Sequence, residues 1–318
     1  MAVGRATVPA VDGRTGERPP VVRGRGTAPV HHGELLQGVF EGPGGVPVRA
    51  LVTLPCPLFT TRAVFTPAPH GGGGGVTVRP AWRRKARRAA ELALDGTGLG
   101  GRLEVTGDVP LGRGFGSSTS DVLAAVRAVG DALGAPPTAV EAARLAVRAE
   151  TASDALMFEG TTVLFAQREG TVVEDFGRPL PPLRVLGFGT RPGSTGVDTL
   201  ALPPPRYDRA ERARFEELRA LLREALRTGD AALLGAVATQ STLINQRRLP
   251  VPGLDALLAV ARECNALGLQ VAHSGDLAGL LLPRTADTGP ARAGLRRAGI
   301  GECWEFTVGE CWEFTVGG

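Results

Sequence analysis

The sequence predicts an α/β (α+β) protein of two closely joined domains, and three observations carry that prediction. At 318 residues, with 43% hydrophobic and 21% charged residues, the chain exceeds a usual single domain and has ample material for a core. Residues 46–65 alternate or run apolar, as paired strands do, whereas residues 209–228 place Phe215, Leu218, Leu221, Leu222 and Ala225 at helical spacing. Between them, residues 103–125 read as strand, glycine loop and helix in direct succession.

Residues 1–24 are rich in Gly, Pro and Arg without periodicity and read as a disordered, solvated leader, the Arg-Gly run at residues 23–26 included. The first strand then leads into TAPVHHGELLQG, residues 27–38, which gathers His31, His32, Glu34 and Gln37 between glycines. One histidine reads as a structural hydrogen-bonding residue, and either is a candidate for ligand contact. After the strands of residues 46–65, His70 and five glycines form a hairpin tip. Residues 82–94 form a helix whose basic first half, Arg83, Arg84, Lys85, Arg87 and Arg88, reads as a solvated face.

The most informative stretch follows. Pro110, Gly112, Gly114, Phe115 and Gly116 run into Ser117, Ser118 and Thr119 and then into a helix with Val122, Leu123, Val126 and Val129 on its apolar positions. Glycines let the backbone approach a ligand closely and adopt positive φ, and the first-turn N–H groups of a helix lack intrahelical partners. Together with the helix dipole they favour an anion, so a phosphate chain is the expected guest. The loop is not a Walker A motif, which needs a Gly-Lys-Ser/Thr, and its G-x-G-x-G spacing is not the dinucleotide fingerprint. The only lysine, Lys85, is distant in sequence, so no lysine-assisted deprotonation is expected.

Pro136 and Pro137 end the loop helix, and Thr138 caps a helix over residues 139–149 that delivers Glu150 and Asp154. Two carboxylates separated by small residues can hold a divalent ion and orient an attacking hydroxyl. Residues 162–165, 171–173 and 185–188 read as strands of a second sheet, and residues 189–207 as a crossing loop in which Arg191 is a candidate for a substrate carboxylate. Helices follow over residues 209–228, 231–245 and 254–267, with residues 245–248 reaching toward the cleft, then the turn Ala272, His273, Ser274, Gly275 between apolar stretches, and a last helix over residues 290–298. The tail repeats GECWEFTV in tandem over residues 301–316; one copy reads as a final strand and the other as a duplication.

Three of these stretches resemble the motifs of the GHMP kinases. Pro110, Gly114, Gly116, Ser117 and Ser118 match the family's Pro-x-x-x-Gly-Leu-Gly-Ser-Ser-Ala-Ala loop, with Phe115 in place of the leucine and Thr119-Ser120 in place of the alanine pair. Gly33, Glu34, Leu35, Gln37 and Gly38 form a Gly-Glu-Leu-x-Gln-Gly segment similar to the L-threonine kinase branch of cobalamin side-chain synthesis, as is the Ala272 to Gly275 turn. The spacing from Glu150 to Asp154 is one residue longer than that branch's compact Glu-Pro-Thr-Asp sequence and lacks its proline.

The resemblance implies an N-terminal ribosomal-protein-S5-domain-2-like ATP-binding domain over residues 25–168 and a C-terminal ferredoxin-like α+β domain over residues 169–318. It further implies a kinase using ATP and Mg2+ on the hydroxyl of L-threonine or a related hydroxy amino acid. By that analogy the loop from Pro110 to Thr119 holds the phosphates, Ser118 and Glu150 the metal, and Asp154 the acceptor hydroxyl. Glu34, Gln37, His273, Ser274 and Gly275 meet the substrate, and Trp82 is a candidate to stack on adenine. Homoserine or another small alcohol is the alternative acceptor, and a non-catalytic ATP and metabolite sensor the alternative of another class.

Composition narrows the partners. A net charge of +4, carried almost wholly by arginine, gives no reason to expect nucleic acid, and no apolar run spans a bilayer. The four cysteines lack metal-ligand spacing, which fits a reducing cytoplasm. A cytoplasmic monomer or homodimer acting on a small molecule is the expectation.

Overall fold

The computed structural model describes residues 22–69, 75–110, 113–191, 207–272 and 276–309. The His70 glycine tip and the second tail octapeptide, Gly309 apart, lie outside the described residues. The chain opens with a long antiparallel hairpin of β1 (Gly24–Glu41) and β2 (Pro47–Pro69). β2 also pairs antiparallel with β4 (Leu99–Gly107), which takes β3 (Val76–Arg79) in parallel on its far edge. On the other side β5 (Val163–Ala166) and β6 (Thr171–Asp175) complete a six-stranded sheet in the order β3-β4-β2-β5-β6, with β1 attached to β2. Helices α1 (Arg84–Ala93), α2 (Ser117–Ala132) and α3 (Ala139–Glu150) share a core with Phe65, Leu103 and Phe165 of this sheet.

The second sheet is antiparallel throughout, in the order β10-β7-β9-β8, from β7 (Leu183–Gly189), β8 (Gly268–Val271), β9 (Leu277–Pro283) and β10 (Cys303–Val308). Helices α4 (Arg209–Thr228) and α5 (Ala231–Asn245) join it to β1 in a core containing Leu36, Phe40, Phe215 and Leu281. Helices α6 (Leu254–Glu263) and α7 (Gly289–Arg297) close its other face over Leu186, Phe188 and Leu280.

Local chemistry sets the helix ends. Thr138 with Glu141 and Asp208 with Glu211 form capping boxes at the starts of α3 and α4, and Asp230 accepts from the amides of Ala232 and Leu233 to start α5. Close packing sets the glycines of β1: a β-carbon on Gly24 would lie 2.0 Å from the Ala128 carbonyl oxygen and one on Gly26 2.1 Å from that of Ala124. Gly24 to Gly26 of the Arg-Gly run read as solvated are therefore the first part of β1, with the two glycines pressed against α2.

Other expectations are corrected as well. β5 and β6 belong to the first sheet, because Phe165 pairs with Leu51 of β2 and is fully buried in the first core; of the three strands assigned to a second sheet only β7 joins it. Leu221, placed on the apolar face of α4, is 38% exposed, while Phe215, Leu218, Leu222 and Ala225 are buried.

β1 itself is irregular where it matters. Its register with β2 shifts between Pro29 and Val30, between His31 and Glu34, and between Glu34 and Leu36. Gly33 sits in that break at φ +76°, a conformation that favours glycine. The break leaves His32 and Gly33 outside the register between the paired residues His31 and Glu34, and the amide of His31 turns to the glycine loop at Phe115.

Candidate active site

The site forms where α2 begins. Gly114 (φ +93°) and Gly116 (φ +67°) turn the chain into the helix, and the side chain of Phe115 is buried against Phe59 and Trp304, anchoring the loop from below. Phe115 thus offers the site its backbone rather than its ring, and its carbonyl accepts from the His31 amide at 3.1 Å. Trp304 comes from the first tail octapeptide, so that copy is β10 and supports the loop.

Ser118 and Thr119 point toward the end of α3. Ser118 Oγ donates to Glu150 Oε2 at 2.7 Å and Thr119 Oγ1 donates to Glu150 Oε1 at 2.8 Å. Glu150 is 4% exposed, and burial raises its carboxyl above the usual range against the two hydroxyls and Lys85. A buried carboxylate with two hydroxyl neighbours is an all-oxygen donor set, which suits a hard divalent cation.

Lys85, distant in sequence from the glycine loop, lies close to it in the fold. From the first turn of α1 its Nζ lies 4.0 Å from Glu150 Oε2. Beside it, Arg83 pairs with Asp121, which also accepts from Thr61 Oγ1 at 3.3 Å. A cavity of about 130 Å³ lies between the two helix starts, lined by Trp82, Arg83, Arg84, Lys85, Ser117, Ser118 and Asp121 among others. Trp82 precedes the helix and is 55% exposed, with the Arg83 guanidinium 4.7 Å from its ring centroid. Part of the basic run is thus the wall of a pocket.

Asp154 lies beyond the positive-φ turn at Thr151. Its Oδ2 is 2.9 Å from His31 Nε2, and its Oδ1 is buried without a hydrogen-bond partner among the described residues. Glu34 is 4% exposed, and ligand atoms of His31, Glu34 and Asp154 all lie within 4.8 Å of one another. Burial alone would lower the His31 pKa, but Asp154, with Glu34 and Glu150 behind it, leaves it raised. That pull meets opposition from the Gly33 amide, which donates to His31 Nδ1 at 2.9 Å.

The remaining candidates are placed as follows. Gln37 is tied by its backbone to α5, accepting from Asn245 Nδ2 and donating to Ser241 Oγ, with its own Oε1 buried and unpartnered among the described residues. Pro110 precedes the loop on partly buried backbone. Gly112, His273, Ser274 and Gly275 lie outside the described residues. Arg191 donates to the Pro250 carbonyl, Arg247 pairs with Glu211, and Arg248 lies over Tyr207. Sequence reasoning missed Lys85, Asp121 and Trp304, and for Lys85 the signal was its uniqueness in the chain.

A glycine-led helix start, a buried carboxylate under two hydroxyls and a second carboxylate beside it define a phosphotransferase that acts on an alcohol. Two family models match, the GHMP kinases N-terminal domain over residues 84–159 and the GHMP kinases C-terminal domain over residues 222–300. The chain belongs to the GHMP kinases. It is 29% identical to the L-threonine kinase of Salmonella typhimurium over 80% of this chain and 82% of that relative. Among solved structures, the homoserine kinase of Cytophaga hutchinsonii superposes with a TM-score of 0.62 at 16% identity, covering 93% of this chain and 97% of that one. A structure described as MDDEF in complex with MVAPP, AMPPCP and magnesium gives 0.63 at 17% identity, covering 91% and 98%. Among the described residues no helix is long and apolar enough to cross a membrane.

Proposed function

We propose that this kinase transfers the γ-phosphoryl group of ATP to the hydroxyl of L-threonine or a closely related hydroxy amino acid. The observation that carries the reading is the closeness of Asp154 and Glu34, whose carboxylate oxygens lie within 4.8 Å of each other. In threonine the hydroxyl and the ammonium sit on adjacent carbons. Two carboxylates this near can therefore serve both groups, Asp154 the hydroxyl and Glu34 the ammonium. Homoserine inserts one more methylene between them and fits the same pair less closely. The likeness to an L-threonine kinase over four-fifths of the chain supports the same substrate.

In this reading the amides of Gly114 to Thr119 hold the phosphates at the start of α2. Ser118 and Glu150 would hold a magnesium ion, whose charge would offset that of the phosphate oxygens. Asp154 Oδ1 accepts the hydrogen of the acceptor hydroxyl as the oxygen attacks. The groups act by holding reactants in line and countering charge. The reaction belongs in the cytoplasm, in the synthesis of the cobalamin side chain.

ADP release from MgATP with L-threonine, L-serine and L-homoserine, run beside Asp154→Asn, tests the proposal. The expected result is a kcat/KM for threonine at least ~10-fold above homoserine, one added methylene being worth that much, and loss of turnover in the variant. Preference for homoserine would move the assignment to that acceptor, and ATP binding without turnover on any acceptor would favour a sensor.

A further inference from the structure

One buried imidazole at this site has no part in the roles above. His31 is 1% exposed and touches three pieces of the machinery. Its amide donates to the Phe115 carbonyl, which ties β1 to the glycine loop. Its ring presses the Cδ2–Nε2 side against the loop turn, since a β-carbon on Gly116 would lie 2.0 Å from His31 Cδ2 and 2.1 Å from Nε2. Its two nitrogens face Gly33 and Asp154, each at 2.9 Å.

Those two contacts decide where the hydrogen sits. Nδ1 receives the Gly33 N–H and must present a lone pair. The hydrogen of the ring is then on Nε2, aimed at Asp154 Oδ2. A ring with hydrogens on both nitrogens would set one against the Gly33 amide. Metal ligation meets the same obstacle: a ligating histidine donates its other N–H to an acceptor, and Nδ1 faces a donor. The closeness of His31, Glu34 and Asp154 therefore does not make a cation site; the imidazole is a donor to the carboxylate.

We propose that His31 is a positioning residue for phosphoryl transfer: held in the Nε2–H tautomer by the Gly33 amide, it binds Asp154 Oδ2 and thereby directs Oδ1, the oxygen without a partner among the described residues, at the acceptor hydroxyl. The inference rests on the reading of Asp154 as the group that receives that hydroxyl. Because the same ring packs on Gly116, it sets the carboxylate at a fixed place relative to the phosphate loop, and alignment of this kind is where much of the rate of such a reaction originates.

Three variants and one spectrum test it. His31→Leu removes the donor; His31→Gln keeps an amide N–H able to reach Asp154. The expected result is a ~100-fold fall in kcat for His31→Leu with the KM for ATP changed less than ~2-fold, and recovery of most of that loss in His31→Gln. In an Asp154→Asn background, His31→Leu costs less than ~3-fold, since no carboxylate remains to be placed. The 15N spectrum of the histidine-labelled wild-type protein shows His31 with its hydrogen on Nε2 and a bare Nδ1. An inactive Asp154→Asn beside a fully active His31→Leu overturns the role of His31 and leaves that of Asp154 standing. A fully active Asp154→Asn overturns both, and a hydrogen on Nδ1 overturns the proposal whatever the kinetics.

Discussion

Ser118 and Glu150, 32 residues apart in the chain, meet through a 2.7 Å hydrogen bond from hydroxyl to carboxylate. The bond joins the first turn of α2 to the last residue of α3 and places a buried carboxylate beside the glycine loop. Replacing Glu150 by glutamine keeps an acceptor for one of the two hydroxyls, offers the other an amide N–H from which it can accept, and removes the charge. Turnover is expected to fall ~100-fold or more. The thermal midpoint should hold or rise, because burying an amide costs less than burying a carboxylate. Added MgATP should then stabilise the variant far less than the wild type in the same melt. Unchanged turnover in Glu150→Gln would remove this carboxylate from the chemistry.

Lys85 stands half-exposed at 4.0 Å from the same carboxylate and lines the cavity beside Ser118. An ion pair of that length and exposure contributes little to stability, and in the proposed function the charge faces the phosphates. Lys85→Met keeps the stem and removes the charge. A ~5- to 10-fold rise in the KM for ATP is expected, with an unchanged melting temperature. The difference should shrink at high salt, where exposed charges are screened. A KM identical to wild type at low salt would show that the lysine does not face the phosphates.

Gly116 is required twice over. Its φ of +67° disfavours any L side chain, and a β-carbon there would fall onto the His31 ring. Gly116→Ala must move the ring, the loop or both. The expected cost is on the order of 2 kcal/mol of stability together with a loss of ATP affinity, read by chemical denaturation and nucleotide titration. Gly134→Ala, at a similar φ of +63° but with open space around it, is the control that separates backbone strain from the collision with His31.

How much of this was legible in the sequence varied with the range of the interaction involved. The span of α4 was legible from the apolar spacing of Phe215, Leu218, Leu222 and Ala225, and the structure adds the capping aspartates Asp208 and Asp230 at the starts of α4 and α5, all of it local. The glycine loop with Ser118, and the pair Glu150 and Asp154, were visible because each lies within one continuous motif. Lys85 was hidden because its partner is on another helix and a run of five basic residues looks the same whether it faces water or a pocket. The sheet to which β5 and β6 belong could not be read from four- and five-residue apolar stretches, which reveal a strand but not its neighbour. The bond between His31 and Asp154 spans the break in β1 and the turn after α3, and no spacing rule connects them.

The neighbour of His31 gives a pH prediction of a different kind. His32 is fully buried among Phe115, Trp304 and Phe306, its Nδ1 donates to Gln270 Oε1 at 3.2 Å, and its Nε2 is unpartnered among the described residues. Burial holds its pKa down to about 4, against 6.5 for an ordinary histidine. In the unfolded chain the imidazole takes up a proton as the pH falls through 6.5, while the folded chain refuses it until about 4. Stability contributed by the neutral ring is therefore full above the unfolded value and drains away as the pH falls between the two, by on the order of 3 kcal/mol in all. His32→Leu removes that dependence. Urea unfolding across the interval should show the wild type losing stability more steeply with acid than the variant, by nearly one proton in the slope. Parallel slopes would mean that the folded protein protonates His32 as readily as the unfolded chain does.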